Sequence, residues 1–293
     1  MAAPLIEPAF AKVNLTLRVI GRRADGYHDL DSLVVFARLA DRLSLAPKPT
    51  LGLSLRGPTA AASGPRADNI VLKAAHALAA RIKPLMLGDF VLHKRLPVAA
   101  GLGGGSADAA AALRLLARAN GIAPDDPRLA DAARATGADV PVCLEPRPRR
   151  MRGIGDILSA PLKLPSLAAV LVNPGVAVST KAVFAALRLD VAAGPPDATD
   201  AIPGDRAALL AHLLARPNAL EPAAIGLQPV IADVLAALRA RPGCRLARMS
   251  GSGATCFGLF DTHRAAATAA TALRRLQPDW WVRATVLGSP LGG

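Results

Sequence analysis

Residues 97–109 read PVAAGLGGGSADA and lead directly into a predicted helix from Ser106 to about Asn120. Glycine has no Cβ, so its backbone can adopt positive φ and approach an anion closely. The first N–H groups of a helix have no partner inside it, and the helix dipole favours negative charge at that end. The segment therefore predicts a phosphate-binding loop. The alternative is a flexible loop before a helix that Ser106 caps.

The two common phosphate-binding motifs do not fit this glycine-rich segment. A P-loop has a lysine directly after its last glycine, and no lysine follows Gly105. The dinucleotide-binding motif would need a glycine in place of Ser106 and a βαβ unit that begins here. A second glycine-rich segment, MSGSGATCF at 249–257, lies between two predicted strands. Its alternative interpretation is a tight hairpin.

The composition predicts a folded protein with an aliphatic core. The chain has 293 residues, of which 52% are hydrophobic and 3% aromatic, so Ala, Leu, Val and Ile must fill most of the core. Strand patterns, such as FAKVNLTLRVI at 10–20, and helical patterns do not alternate regularly along the chain. This arrangement favours an α+β architecture in two domains.

Cysteine usage and hydropathy disfavour several classes of protein. Cys143, Cys244 and Cys256 are far apart and form no Cys-x-x-Cys pair, which disfavours a disulfide framework and a structural zinc site. No apolar run approaches the roughly 18 residues of a membrane-spanning helix. The first residues lack the pattern of a signal peptide, with Glu7 and Lys12 among them. We therefore expect a cytoplasmic protein.

The net charge of +13 predicts an anionic partner, which could be nucleic acid, an anionic membrane or a phosphorylated small molecule. The arginines are scattered, and their densest group lies in PRPRRMRG at 146–153, which we predict to be a proline-broken surface segment. The chain has three glutamates, so we expect acid–base chemistry to rest on an aspartate.

Three segments together resemble the three sequence motifs of the GHMP small-molecule kinases. They are PAFAKVNL at 8–15, the glycine-rich segment at 97–110, and the second glycine-rich segment at 249–260. Further segments are similar to the branch of this family that acts on a cytidylyl methylerythritol in non-mevalonate isoprenoid synthesis: RADGYH at 23–28, GADVP at 137–141, RGIGDIL at 152–158 and NPG at 173–175. The resemblance covers most of the chain, although residues 190–245 match little.

The resemblance implies a two-domain GHMP kinase fold. Its N-terminal domain, over residues 1–158, would be like that of ribosomal protein S5 and would carry ATP binding and catalysis. Its ferredoxin-like C-terminal domain, over residues 159–293, would contribute to the substrate site, with the last strand, 281–287, packing back on the N-terminal domain. The implied activity transfers the γ-phosphoryl group of ATP to the 2-hydroxyl of the cytidylyl substrate. It implies ATP and Mg²⁺ as cofactors, no nucleic-acid or membrane partner, and a monomer or weak homodimer.

The predicted catalytic residues are Lys12 and Asp139. Asp139 lies in the turn-like sequence Gly-Ala-Asp-Val-Pro, where we predict a general base; a helix or turn cap is the alternative. Lys12 lies among apolar residues of a predicted strand and needs an anionic partner, because an uncompensated buried lysine is costly. The resemblance implies that Asp139 is this partner. Asn14, two residues further along the same strand face, is predicted to contact the substrate.

The predicted cytidine site begins with Tyr27, which can stack on a base, and His28, which can read its edge. The resemblance implies that Phe184 lies on the other side of the base, although a helix core position is its alternative. It further implies Ile154 against the base, Thr180 near a substrate phosphate, and substrate contacts from Gly251, Ser252 and Gly253.

The predicted ATP site is the glycine loop, together with residues that the resemblance places near the adenosine. The loop residues are Pro97, Val98, Ala99, Ala100, Gly101, Leu102, Gly103, Gly104, Gly105, Ser106 and Ala107, and the others are Asn69, Lys73 and Lys94. Ser106 is the one magnesium ligand that we suggest. Two other functions remain open: a GHMP kinase acting on mevalonate, homoserine or a sugar, and a basic RNA-binding protein without enzymatic activity.

Overall fold

The computed structural model of the chain describes residues 3–187 and 201–290. The strands within these ranges are β1 (Leu5–Asn14), β2 (Arg18–Arg22), β3 (His28–Lys48), β4 (Gly52–Arg56), β5 (Leu87–His93), β6 (Arg149–Gly153), β7 (Ile157–Leu158), β8 (Leu167–Asn173), β9 (Cys244–Met249), β10 (Cys256–Phe260) and β11 (Trp281–Gly288). The α-helices there are α1 (Ile70–Ala79), α2 (Gly104–Ala119), α3 (Pro127–Thr136), α4 (Val140–Leu144), α5 (Thr180–Ala186), α6 (Arg206–Leu214), α7 (Glu221–Leu227), α8 (Val230–Arg239) and α9 (His263–Leu276).

The chain forms two compact units, each assembled from separate pieces of sequence. The first unit contains Met1–Lys12, Leu39–Val98 and Gly103–Pro146, and the second contains Val13–Arg38, Ala99–Leu102 and Arg147–Gly293. The predicted domain boundary between residues 158 and 159 stays a prediction. Of the segment 190–245, which the resemblance left unmatched, residues 190–200 lie outside the described ranges. The rest forms α6, α7, α8 and the start of β9.

Among its described residues, the first unit combines a small sheet with the α-helices α1 to α4. Residues 42–48 of β3 pair antiparallel with β5, which pairs in parallel with β4. Helix α2 packs on α1, α3 and α4, and its many buried alanines allow these close approaches. Asn69 caps α1 by accepting a hydrogen bond from the Val71 N–H, a role for which asparagine is favoured directly before a helix.

The start of α2 differs from the prediction. The helix begins at Gly104 rather than at Ser106, and the capping position is Gly103, with φ 59°. Glycine adopts this left-handed conformation without the clash that a Cβ would cause. No side chain caps the helix, so its first backbone N–H groups remain available to a ligand.

The second unit contains an antiparallel sheet in the order β3, β11, β8, β10, β9. In β8 all seven residues are buried, as its continuous apolar run predicts for a central strand. Helices α8 and α9 pack against the sheet and close an aliphatic core that includes Val170, Leu235 and Leu273. The last strand, β11, pairs with β3 at Leu287 and Ala37.

The prediction of a surface segment at 146–153 is wrong for most of its length. Residues 149–153 form β6, which pairs antiparallel with β3, and Met151 is 3% exposed. The Arg150 guanidinium binds both carboxylate oxygens of Asp31, at 2.7 Å and 2.6 Å. Pairing with β3 satisfies backbone hydrogen bonds of residues 149–153. Asp31, which is 119 residues away in the sequence, balances the positive charge of Arg150.

Three general properties of the described residues bear on function. No helix among them is long and apolar enough to cross a membrane. Within residues 3–187 and 201–290, no group of three or more His, Cys, Asp or Glu side chains could hold a metal ion. The cysteines Cys143, Cys244 and Cys256 are all free thiols.

Candidate active site

A lysine–aspartate ion pair lies at the centre of the candidate site in the first unit. Lys12 Nζ donates a hydrogen bond to Asp139 Oδ2 at 2.8 Å. Lys12 is 4% exposed, whereas the Asp139 side chain is 36% exposed. The predicted anionic partner of Lys12 is therefore confirmed, and the pair presents a carboxylate that a ligand can reach. The catalytic role of the pair stays a prediction.

Arg114 holds the two segments that carry this pair. Asp139 immediately precedes α4, and the Arg114 guanidinium donates to the carbonyl oxygen of Cys143 at the end of that helix, at 2.8 Å. The same guanidinium donates to the Pro8 carbonyl in β1, at 2.8 Å, and pairs with Glu7 at 3.0 Å. Sequence reasoning missed Arg114. The available signal was a single arginine inside the apolar run AAAALRLL.

Burial raises the pKa of the Cys143 thiol to about 12, so this neighbour of the ion pair stays protonated at neutral pH. A thiol is a weak nucleophile compared with its thiolate. Covalent catalysis by Cys143 is therefore not favoured, and Asp139 is the accessible basic group of the site.

The glycine loop, residues 97–105, lies against Lys12 where it enters α2. A Cβ built on Gly103 would lie 3.1 Å from Lys12 Cε and 3.2 Å from Lys12 Cβ. The free N–H groups at the start of α2 and the Lys12 ammonium therefore belong to one region. This combination of helix N-terminus and lysine suits a phosphate group.

The middle of the glycine loop packs on the second glycine-rich segment, within the second unit. Ser250 Oγ donates to the Gly101 carbonyl at 2.9 Å, and the Thr255 N–H donates to the Ala100 carbonyl at 3.1 Å. A Cβ on Gly101 would lie 2.2 Å from the Ser250 carbonyl oxygen, so only glycine fits there. The second segment joins the antiparallel strands β9 and β10, as its hairpin interpretation predicted.

Asn14 presents a buried polar atom at this contact. Its Nδ2 donates to Ser32 Oγ at 2.7 Å, and its backbone N–H donates to Ser250 Oγ at 3.1 Å. Asn14 is 1% exposed, and among the described residues its Oδ1 has no hydrogen-bond partner. Buried polar atoms are nearly always satisfied, so this oxygen suits a hydroxyl donor from a ligand.

A cleft of about 840 Å³ in the second unit contains the five side chains predicted for the cytidine site. They are Tyr27, His28, Ile154, Thr180 and Phe184. The His28 and Phe184 rings stack on each other, with centroids 4.8 Å apart and planes inclined by 21°. The predicted placement of Phe184 on the other side of a base from Tyr27 stays a prediction. Tyr27 is 61% exposed, so a ligand can reach its ring.

The electrostatics of this cleft suit a nucleotide. Burial, together with the nearby Arg22 guanidinium, lowers the pKa of His28, so its imidazole is neutral at pH 7. A neutral imidazole offers one donor and one acceptor. Arg22 and Lys181 also line the cleft. Thr180 Oγ1 lies 2.8 Å from Ser252 Oγ, which connects the cleft to the second glycine-rich segment.

The residues predicted near the adenosine have different environments. Lys73 is exposed on α1, whereas Asn69 is buried and uses its Oδ1 to cap that helix. Lys94 is 3% exposed, and its ammonium lies between the carboxylates of Asp41 and Asp108. This placement does not favour the predicted contact of Lys94 with the nucleotide. Asp41 and Asp108 lie 53 and 14 residues from Lys94 in the sequence. The sequence therefore did not indicate that they enclose its ammonium group.

Two family models match parts of this chain. The model described as "GHMP kinases N terminal domain" matches residues 69–145, and "GHMP kinases C terminal" matches residues 199–279. The first match contains the glycine loop and Asp139, and the second contains the segment 249–257. The fold and these matches define the chain as a GHMP kinase.

Individual relatives show which kind of GHMP kinase this chain is similar to. A 4-diphosphocytidyl-2-C-methyl-D-erythritol kinase from Xanthobacter autotrophicus is 59% identical over 283 residues, which cover 94% of this chain and 97% of the relative. The crystal structure of a 4-(cytidine 5'-diphospho)-2C-methyl-D-erythritol kinase superposes with a TM-score of 0.75 at 36% identity, covering 99% of this chain and 100% of the other. This chain belongs to the family of 4-diphosphocytidyl-2-C-methyl-D-erythritol kinases.

A homoserine kinase from Cytophaga hutchinsonii has a similar fold. Its crystal structure superposes with a TM-score of 0.73, covering 99% of this chain and 96% of the other. The sequence identity is 19%, so this likeness concerns the fold alone.

Proposed function

We propose that this chain is an ATP-dependent kinase that phosphorylates the 2-hydroxyl of 4-diphosphocytidyl-2-C-methyl-D-erythritol, a step of non-mevalonate isoprenoid precursor synthesis. The observation that carries the proposal is the Lys12–Asp139 ion pair, at 2.8 Å, beside the uncapped start of α2. Membership of the kinase family supports the choice of substrate. The cleft that contains Tyr27, His28 and Phe184 supports recognition of a base.

Phosphoryl transfer requires little covalent chemistry from the protein. It requires in-line positioning, neutralisation of charge and an acceptor for the hydroxyl proton. Asp139 is the proton acceptor: Lys12 binds Oδ2, and we assign Oδ1 to the substrate hydroxyl. The Lys12 ammonium fixes the carboxylate and offsets negative charge that develops at the attacking oxygen.

The glycine loop binds the phosphates of ATP through backbone N–H groups at the start of α2. Positive φ at Gly101 and Gly103, 74° and 59°, gives the loop its tight curvature. Magnesium in kinases commonly binds substrate phosphates and few protein groups. Among the described residues, no group of three or more His, Cys, Asp or Glu side chains could hold a metal ion. These residues therefore do not fit a magnesium site whose ligands all come from the protein. The Ser106 hydroxyl, in the first turn of α2, is the one protein ligand that we propose.

The cytosine binds in the cleft of the second unit. Tyr27 stacks on it, the neutral His28 reads its edge, and Ile154 and Phe184 contact its faces. Thr180, with Ser252 beside it, contacts a substrate phosphate, and Asn14 Oδ1 accepts a hydrogen bond from a substrate hydroxyl. The positive charges of Arg22 and Lys181 complement the diphosphate.

A panel of acceptors tests the proposed substrate. ADP formation is measured with 4-diphosphocytidyl-2-C-methyl-D-erythritol, with methylerythritol phosphate that lacks the cytidylyl group, with mevalonate and with homoserine. We expect turnover with the cytidylyl compound alone, because the cleft contacts the base. Equal turnover with mevalonate or homoserine would assign the chain to another GHMP activity.

Tyr27→Ala is expected to weaken binding of the cytidylyl substrate. Loss of one stacking contact costs roughly 1–3 kcal/mol per base, so the KM for this substrate should rise while the KM for ATP stays unchanged. Tyr27→Phe keeps the ring and serves as the matched control, with a KM close to wild type. A parallel rise of both KM values in Tyr27→Ala would show that Tyr27 supports the fold rather than the base.

A further inference from the structure

A buried cluster of three charged side chains lies at the start of α2, outside the chemistry described above. Asp41 on β3, Lys94 just after β5 and Asp108 in α2 are 1%, 3% and 3% exposed. Lys94 Nζ lies 2.5 Å from Asp41 Oδ2 and 2.7 Å from Asp108 Oδ2. One ammonium therefore joins carboxylates from two different elements.

Asp41 also holds the backbone immediately before the glycine loop. Its Oδ1 accepts hydrogen bonds from the backbone N–H of Arg95, at 2.5 Å, and of Leu96, at 2.9 Å. On the other side of the loop, Asp108 belongs to the second turn of α2 and binds Lys94. Asp41 thus binds the backbone before the loop directly. It is connected to the helix after the loop through Lys94, which also binds Asp108.

The cluster lies beneath the helix end to which the phosphates of ATP are assigned. A Cβ built on Gly104, the first residue of α2, would lie 3.6 Å from Lys94 Nζ and 3.9 Å from Asp41 Oδ2. The Lys94 ammonium is enclosed by its two carboxylates rather than open to a ligand. Any effect of the cluster on a bound nucleotide must therefore pass through the position of the loop.

The charge balance distinguishes the two aspartates. Burial raises the pKa of Asp108 to about 7, so this carboxyl is partly protonated at neutral pH. Burial lowers the pKa of Lys94, but the carboxylates of Asp108 and Asp41 outweigh it and raise this pKa overall. The ammonium therefore stays charged. Asp108 uses one oxygen, for Lys94, and among the described residues its other oxygen has no hydrogen-bond partner, so asparagine at position 108 can keep this contact. Asp41 uses both oxygens, one for Lys94 and one for the loop backbone. Asparagine has a single acceptor oxygen, so at position 41 it must lose one of these two contacts.

We propose that Asp41 is a positioning residue for ATP: with Lys94 and Asp108 it holds both ends of the glycine loop in the geometry that binds the nucleotide phosphates. This inference rests on the proposed ATP-dependent function. A loop that is ordered before binding loses less conformational entropy when the ligand arrives. Loss of Asp41 should therefore reduce ATP affinity more than it slows the chemical step.

Calorimetric titration with magnesium ATP, together with steady-state kinetics, tests this role in Asp41→Asn. We expect the Kd for ATP to rise at least about tenfold, which corresponds to about 1.4 kcal/mol. The kcat at saturating ATP and the KM for the cytidylyl substrate should stay within a few-fold of wild type. Asp89→Asn is the matched control, because Asp89 on β5 pairs with Lys48 at an exposed site. It should bind ATP as the wild type does.

Two substitutions of Asp108 make the test independent of the folding of Asp41→Asn. Asp108→Leu breaks the bridge to Lys94 and should weaken ATP binding, whereas the conservative Asp108→Asn keeps an oxygen for Lys94 and should restore most of the affinity. Wild-type ATP affinity in folded Asp41→Asn, or in Asp108→Leu should Asp41→Asn not fold, would overturn the positioning role. So would a loss in Asp108→Asn equal to that in Asp108→Leu. Failure of the wild-type chain to bind ATP would instead refute the proposed function itself.

Discussion

Asp139→Asn is expected to lower kcat by about 10²–10⁴-fold, the usual contribution of a general base. Asparagine keeps the shape of the side chain but cannot accept the hydroxyl proton. It also removes the counter-charge of Lys12, whose ammonium lies 2.8 Å from Asp139 Oδ2. Both substrates should still bind, because neither the cleft proposed for the cytosine nor the glycine loop is altered. Steady-state kinetics and calorimetric binding measure these two properties separately.

Lys12→Met should produce a similar fall in kcat, and the double variant should be scarcely worse than either single variant. Groups that act as one catalytic unit show this non-additivity. Asp131→Asn is the matched control, since Asp131 forms an exposed ion pair with Arg134 on α3. Thermal unfolding of each variant separates a loss of catalysis from a loss of fold. Fully additive losses would show that Lys12 and Asp139 act separately, and wild-type kcat in Asp139→Asn would remove the base from the mechanism.

Gly103→Val should lower kcat/KM for ATP by about 10²-fold, the effect of roughly 1 Å of misplacement in a positioned site. Gly103 has φ +59°, and a Cβ there would lie 3.1 Å from Lys12 Cε. The two methyl groups of valine extend beyond that position, so they must displace either the lysine or the loop. ATP affinity and kcat are therefore both expected to fall.

Gly121→Val is the matched control for Gly103→Val. Gly121 follows the other end of α2 and has φ +64°, but a Cβ there would meet no atom within 4 Å. Both substitutions carry the strain of a left-handed non-glycine residue, about 1–3 kcal/mol. Gly121→Val should therefore lose thermal stability while it keeps ATP affinity. Equal ATP binding by folded Gly103→Val and Gly121→Val would contradict the assignment of the loop.

Local features of the fold were predictable from the sequence because they depend on neighbouring residues. The Asn69 cap of α1 and the buried strand at 168–173 follow from short-range patterns. The start of α2 was misplaced by two residues, because Ser106 is a favourable cap and the left-handed Gly103 gives no side-chain signal. The strand at 149–153 was missed because its arginines suggest a solvated surface.

The contacts that organise the site depend on partners far apart in the chain. The Lys12–Asp139 pair spans 127 residues and was predicted through motif resemblance rather than from spacing. The contact of Arg114 with the Pro8 carbonyl spans 106 residues, and that of Lys94 with Asp41 spans 53. No local pattern marks either contact. The sequence therefore indicated the residues of the glycine loop and of the cleft around Tyr27. It did not indicate Asp41, which binds the backbone before the loop, or Arg114, which binds the helix after Asp139.

Phosphorus NMR of the complete reaction tests the proposed function most directly. The purified chain is incubated with magnesium ATP and 4-diphosphocytidyl-2-C-methyl-D-erythritol, and the spectrum is compared with that of a mixture without the cytidylyl compound. Carbon 2 of this substrate carries a methyl group and no hydrogen. The product is therefore expected to give one new phosphomonoester signal for each ADP, without coupling to a proton on the phosphorylated carbon, and no ADP should form without the substrate. ADP formation that is independent of the cytidylyl compound, or a new signal with such a proton coupling, would contradict phosphorylation of the 2-hydroxyl.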